Sequence, residues 1–208
     1  NLKKLDNEVL KIYFDSNIQD NIDSEIFFKS IDSQIELNGK IRVSKTNHLY
    51  LDSLNLNNSK NVKINISGDL SERILNLSID GEMIDLSMNK ISTNKKIKEY
   101  YLSKENYKIK TDKAIFAGGV KVDDFKAGIS KQGELLSVNS KASINDHTLD
   151  YSREKNEEVD INLISSSDVT YFVNNNHPAK KLLSDGELKM KSIRDLNTMD
   201  AKVEIDLK

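Results

Sequence analysis

His48, His147 and His177 are the side chains of this sequence best suited to acid–base or metal chemistry near neutral pH. They lie far apart, and none sits in an HExxH or His-x-His arrangement that would bring two imidazoles to one metal ion. The sequence has no cysteine, which removes a thiolate nucleophile, a thiolate metal site and a disulfide framework together. No GxSxG elbow, P-loop or GxGxxG motif precedes a helical pattern. Carboxylates do occur in groups, Asp123 with Asp124 and Asp80 with Glu82 and Asp85, as general acid–base catalysis requires. At turns such groups more often solubilise or cap. Residues 15–23, DSNIQDNID, have something of a calcium loop's spacing, but the sharp-turn glycine is missing and Ile26 stands where the bidentate glutamate belongs. A solvated turn is expected there. Asn57, Asn65 and Asn76 open Asn-x-Ser sequons, which arise readily in strands rich in Asn and Ser. The expectation is no enzyme, no metal and no cofactor.

The elements that would position any site are strands. Residues 61–87 alternate almost without fault: Val62, Ile64 and Ile66, then Leu75, Leu77 and Ile79, then Ile84 and Leu86 beyond Gly81. A period of two means one apolar and one wetted face. Before this stretch a strand is expected from about Val9, in a region whose leucines also fit helical spacing, followed by the polar connection at 15–23. Strands at 25–30, 34–38 and 40–45 follow, with Gly39 as punctuation. Residues 49–51 and 54–56 read as one bent strand with a bulge at Asp52 and Ser53, where the alternation changes phase. Closely spaced turn signals with no helical period between them predict hairpins and an antiparallel sheet.

Residues 88–105 lose the alternation and gather lysines, and are expected to form a mobile loop. Strands resume at 107–110, 113–116, 120–122, 125–129, 135–140, 141–145, 148–152 and 159–164. Asp168 is a good N-cap with Val169, Phe172 and Val173 on one helical face, so a short helix is expected before Pro178. Strands at 186–192 and 198–208 close the chain, the last placing Met199, Ala201, Val203, Ile205 and Leu207 on one face. Gly39, Gly81, Gly133 and Gly186 each precede an alternating run, at intervals too uneven for a solenoid, and are expected to restart strands.

Over 208 residues, 31 basic and 33 acidic side chains leave a net charge of −2, so no bulk field favours nucleic acid or an anionic membrane surface. No run approaches the ~18 apolar residues that span a bilayer, and no leader pattern opens the chain. A segment of a longer or processed protein is expected, with any anchor or secretion signal outside it. The apolar face needs a cover, since each buried Val, Leu or Ile is worth roughly 1.5–3 kcal/mol. In a sandwich that cover is a second sheet; in a barrel or folded groove it is a ligand, for aliphatic walls an acyl chain. Periodicity does not separate the two, and from the residues alone a plain core is favoured.

Residues 66–87, ISGDLSERILNLSIDGEMIDLS, then the Lys-rich gap, then 113–144, KAIFAGGVKVDDFKAGISKQGELLSVNSKASI, then 166–193, SSDVTYFVNNNHPAKKLLSDGELKMKSI, resemble AsmA-like proteins of Gram-negative bacteria, the YhdP/TamB-type bridge-like lipid-transfer group. The order of parts carries the resemblance: a Gly-apolar-Asp-apolar strand end at 81–86, a strand series like 135–144, then a Ser-Asp helix start leading into a Gly-polar-Leu strand. The helix departs from the family pattern in its Tyr171, Asn174 to Asn176 and single Gly186. The resemblance implies a long antiparallel sheet folded into a taco-like groove with one short helix, one continuous unit over residues 1–208. It implies a periplasmic location, an inner-membrane anchor outside the segment, and phospholipid carried between inner and outer membrane. On that reading Val62, Ile64, Ile66, Leu75, Leu77, Ile79, Ile84, Leu86, Leu136, Val138, Ile161, Leu163, Val203 and Ile205 line the lipid track. The alternative from the residues is a β-sandwich serving as a surface or adhesive module with an ordinary core.

Overall fold

A computed structural model describes residues 8–17, 21–30, 35–44, 48–58, 62–86, 102–116, 119–168 and 186–208, with side chains described from residue 36 onward. The strands are β1 (Glu8–Asn17), β2 (Asn21–Ser30), β3 (Ile35–Ser44), β4 (Leu49–Asn58), β5 (Val62–Ser71), β6 (Ile74–Asp85) and β7 (Lys104–Ile115). They continue as β8 (Lys121–Gln132), β9 (Leu135–Ile144), β10 (His147–Lys155), β11 (Val159–Ser166), β12 (Leu188–Asp195) and β13 (Ala201–Leu207). All thirteen form one sheet in sequence order. Among the described residues the sheet is mainly antiparallel and open, with β1 and β13 at its two edges and no second sheet packed on it.

One junction departs from the hairpin expectation: β6 and β7 run parallel, Ile74 opposite Lys104 and Asp85 opposite Ile115. A parallel pair cannot be joined by a tight hairpin turn. The expected loop at 88–105 ends too late, because Lys104 and Glu105 already belong to β7; its residues 88–101 lie outside the described residues. The expected helix beyond Asp168 also lies outside them.

Several apparent strand boundaries are interruptions within longer strands. Gly39 lies inside β3, where a Cβ would stand 2.4 Å from the Ser53 carbonyl oxygen. Gly81 lies inside β6, where a Cβ would stand 2.3 Å from the Lys63 carbonyl oxygen. At both sites the glycine allows close approach of a neighbouring backbone beside a register shift, not a turn. The expected strands at 107–110 and 113–116 likewise merge into β7, and those at 120–122 and 125–129 into β8, with Phe116 and Val120 just outside them. The polar connection at 15–23 shrinks, since β1 extends to Asn17 and β2 starts at Asn21, and Met199 sits at positive φ before β13 instead of within it.

The expected bulge at Asp52 and Ser53 is present, with register shifts against both β3 and β5. Two more interrupt the alternation further along. Lys63 faces Met83 while Ile64 faces Gly81, leaving Glu82 as the extra residue. Asp123 faces Ser143 while Lys126 faces Lys141, and Asp124 takes a φ of 51°. Each bulge flips the parity of its strand, so Ile79 and Ile84, or Val122 and Phe125, reach the same face despite their spacing. That face holds the core: Ile64, Ile84, Ala114, Val122, Phe125 and Ile144 are buried together, with Phe116 edge-on to Phe125 at 5.3 Å.

Candidate functional site

Register carries one residue of each strand into a single row that crosses the sheet at right angles to the strands. From β5 to β13 it reads Ile66, Ile79, Ile109, Ala127, Ser140, Tyr151, Ile164, Met190 and Ile205. Through β4 to β1 the partners are Leu54, Gly39, Ile26 and Ile12. At the usual strand spacing the whole row extends about 58 Å. The alternation explains the row physically: most strands place an apolar residue at this position, Gly39 and Ser140 excepted, and the bulges keep those positions on one face across the shifts in register.

Over β7 to β13 the row lies in a hollow of ≈780 Å³. Its lining includes Ile109, Ala127, Tyr151, Ile164, Met190 and Ile205. The short side chains of Ala127 and Ser140 leave space between the larger Ile109 and Tyr151. The volume falls in the range of small-molecule pockets, roughly 300–1,000 Å³, and the floor is largely aliphatic, as an acyl chain requires.

The opposite face is polar and laced across the strands. Asn76 Nδ2 donates to Asp69, Asn106 Nδ2 donates to Asn76 Oδ1 at 2.8 Å, and Ser130 Oγ donates to Asn106 Oδ1 at 3.0 Å. Arg42 lies 4.6 Å over the Tyr50 ring, which stacks on His48 at 4.3 Å. This hydrogen-bonded ladder holds the wetted side in register while the other side remains apolar.

The apolar face also carries charge along part of one margin. Glu105 and Asp160 are 6% and 8% exposed. Arg153 holds Asp160 through Nε at 2.8 Å and Nη2 at 2.6 Å, which keeps the Asp160 carboxyl below the usual carboxylate range. Tyr107 donates a short hydrogen bond to Glu105; burial first, then that bond and the carboxylate charge, push its phenol well above the usual value. Tyr151 donates to Asn162 Oδ1 at 2.9 Å.

The predicted track residues distribute unevenly. Val62, Ile64, Ile66, Ile79, Ile84 and Leu86 pack in or against the core cluster. Leu75 and Leu77 share the face of Ile79 on β6, Leu136 and Val138 share that of Ser140 on β9, and Val203 shares that of Ile205 on β13. Ile161 and Leu163 do not belong with them. They alternate with Asn162 and Ile164 on β11, so their side chains point to the polar face, with Leu163 45% exposed, although Leu163 borders the hollow beside Ile164. Choosing the apolar parity of β11 from its own alternation selects the wrong side, because Ile164 breaks that alternation. Ile109, Ala127, Tyr151, Ile164 and Met190 were missed, although Leu188 and Met190 alternate visibly after Gly186.

The residues considered for catalysis are dispersed. His48 Nε2 lies 3.3 Å from Asp69 Oδ2, and His147 Nε2 lies 3.9 Å from Asp168 Oδ2, on different parts of the sheet. Glu82 pairs with Lys63, Asp80 accepts from Ser78 Oγ at 3.0 Å, and Asp123 and Asp124 mark the β8 bulge. Among the described residues no three His, Asp or Glu side chains form a group able to hold a metal ion, and His177 lies outside those residues. No helix among them is long and apolar enough to cross a membrane. No family model, curated protein or solved structure matches the chain.

Proposed function

We propose that this chain is a lipid-carrying segment of a bridge-like transfer protein of the AsmA-like kind, in which phospholipid acyl chains lie along the apolar row. The observation that carries the reading is the row itself. It runs along the length of an open sheet, over a hollow of ≈780 Å³ that no second sheet covers among the described residues. On this reading the segment is not an enzyme. It stands in the periplasm between inner and outer membrane, anchored through parts of the protein outside these residues, and its ligand is phospholipid. The competing reading, an adhesive module with an ordinary core, draws on the buried cluster around Ala114 and Val122.

Two variants separate the readings. Ile164→Asp and Met190→Asp place a carboxylate in the hollow, away from the buried cluster. Mass spectrometry of a solvent extract from the purified wild type should detect phospholipid, and either variant should lose it while keeping its β circular-dichroism signal. A lipid-free wild type, or outright unfolding of both variants, would instead identify the face as an ordinary core.

A further inference from the structure

The charged margin of the hollow lies two and four residues along the strands from the apolar row. Two residues along, the face carries Leu77, Tyr107, Ile129, Val138, Arg153, Asn162 and Ser192 from β6 to β12. Four residues along, it carries Leu70 and Leu75 on β5 and β6, then Glu105, Lys131, Leu136, Lys155, Asp160 and Arg194 on β7 to β12. The same positions of β3 and β4 are Val43 and Leu49. The exchange of aliphatic for charged side chains is therefore confined to the strands that enclose the hollow. Setting charges on a face that is otherwise apolar costs free energy unless they are paired or serve a ligand.

The charges are also layered. The carboxylates of Glu105 and Asp160 are buried, whereas the side chains of Lys131, Arg153 and Lys155 keep 46%, 35% and 29% of their surface exposed. Lys131 Nζ is 4.0 Å from Glu105 Oε1, and Lys155 Nζ is 3.6 Å from Glu134 Oε2 at the β8–β9 turn. Asp160 holds Arg153 by two of the five N–H donors that a guanidinium carries. Four cations on this margin, Lys131, Arg153, Lys155 and Arg194, face three carboxylates, the buried Glu105 and Asp160 and the exposed Glu134, and Arg153 stands one step, about 7 Å, from Tyr151 in the hollow.

We propose that Lys131, Arg153, Lys155 and Arg194 form a strip that takes the phosphate of a lipid head group while the acyl chains lie in the adjoining hollow. This deepens the lipid-carrying reading and rests on it. Asp160 acts as a positioning residue for Arg153, and Glu105 for Lys131. The ligand class is an anionic phospholipid, in preference to a neutral lipid of the same acyl length.

The test compares loading of the delipidated chain from vesicles containing equal dioleoylphosphatidylglycerol and dioleoylglycerol. Wild type should take up the phosphatidylglycerol about tenfold in excess, the scale of one strong charge-assisted contact. Lys131→Gln with Lys155→Gln should bring the two lipids within about twofold without lowering dioleoylglycerol uptake, and Lys131→Arg with Lys155→Arg should restore the preference. Equal uptake by the wild type would overturn the strip and leave the acyl groove standing; no uptake of either lipid would overturn the groove reading beneath it. Inorganic phosphate bound without lipid, seen as ³¹P line broadening that the Gln variant loses, would assign the strip to free phosphate and overturn the head-group assignment.

Discussion

Arg153 and Asp160 show what a charged pair does on a face built for aliphatics. Asp160 accepts both guanidinium bonds and a longer one from Asn162 Nδ2 at 3.4 Å, and its carboxyl is held below the usual range, chiefly by Arg153. A carboxylate whose folded pKa is depressed stabilises the fold fully above its unfolded value, about 3.9, and the contribution fades as pH falls through the lower folded value. Asp160→Asn should therefore be less stable than wild type at pH 6 by about 1–2 kcal/mol, a figure reduced for the solvent that reaches Arg153. Urea titrations from pH 6 down to about pH 2 should show that gap closing below the ordinary carboxylate range. A gap independent of pH would mean that the charge on Asp160 contributes nothing. None of this pairing was legible in the sequence, since Arg153 and Asp160 sit on different strands and meet only through the β10–β11 register.

The strands are longer than their sequence patterns, and the bulges are the reason. Expected breaks at Gly81 and at Asp123 and Asp124 coincide with places where one extra residue enters a continuous strand. A lapse in alternation looks the same in sequence whether the chain turns or bulges; only the partner strand's register tells them apart. The bulge at Asp52 and Ser53 was legible because Leu49, Leu51, Leu54 and Leu56 left no room for a turn between them. In β8 the extra residue carries Val122, 1% exposed, to the same face as Phe125. Deleting Asp124 should rotate one side of the strand to the wrong face and cost more than about 3 kcal/mol, whereas Asp124→Gly, which suits the positive φ, should stay within about 0.5 kcal/mol of wild type. Denaturant midpoints of the two variants test this, and equal midpoints would mean that the bulge is dispensable.

At the scale of the sheet, β13 is an edge among the described residues and leaves Val203, Ile205 and Leu207 exposed, Ile205 at 61%. Such an edge is a template for pairing with another chain. Ile205→Lys should lower self-association in sedimentation velocity at high concentration while shifting the unfolding midpoint by less than about 0.5 kcal/mol, because the side chain is largely exposed already. Unchanged association would place the contact elsewhere. The sequence by itself determined that the chain is a β protein with one apolar face, since a period of two follows from the pleat and needs no knowledge of neighbours. It also marked most of the residues on that face in β5 and β6. The tertiary structure alone decided the parallel β6–β7 junction, the polar-face position of Ile161 and Leu163, and the row from Ile66 to Ile205. Each depends on the offset between strands, and that offset is set by bulges and cross-strand partners far apart along the chain.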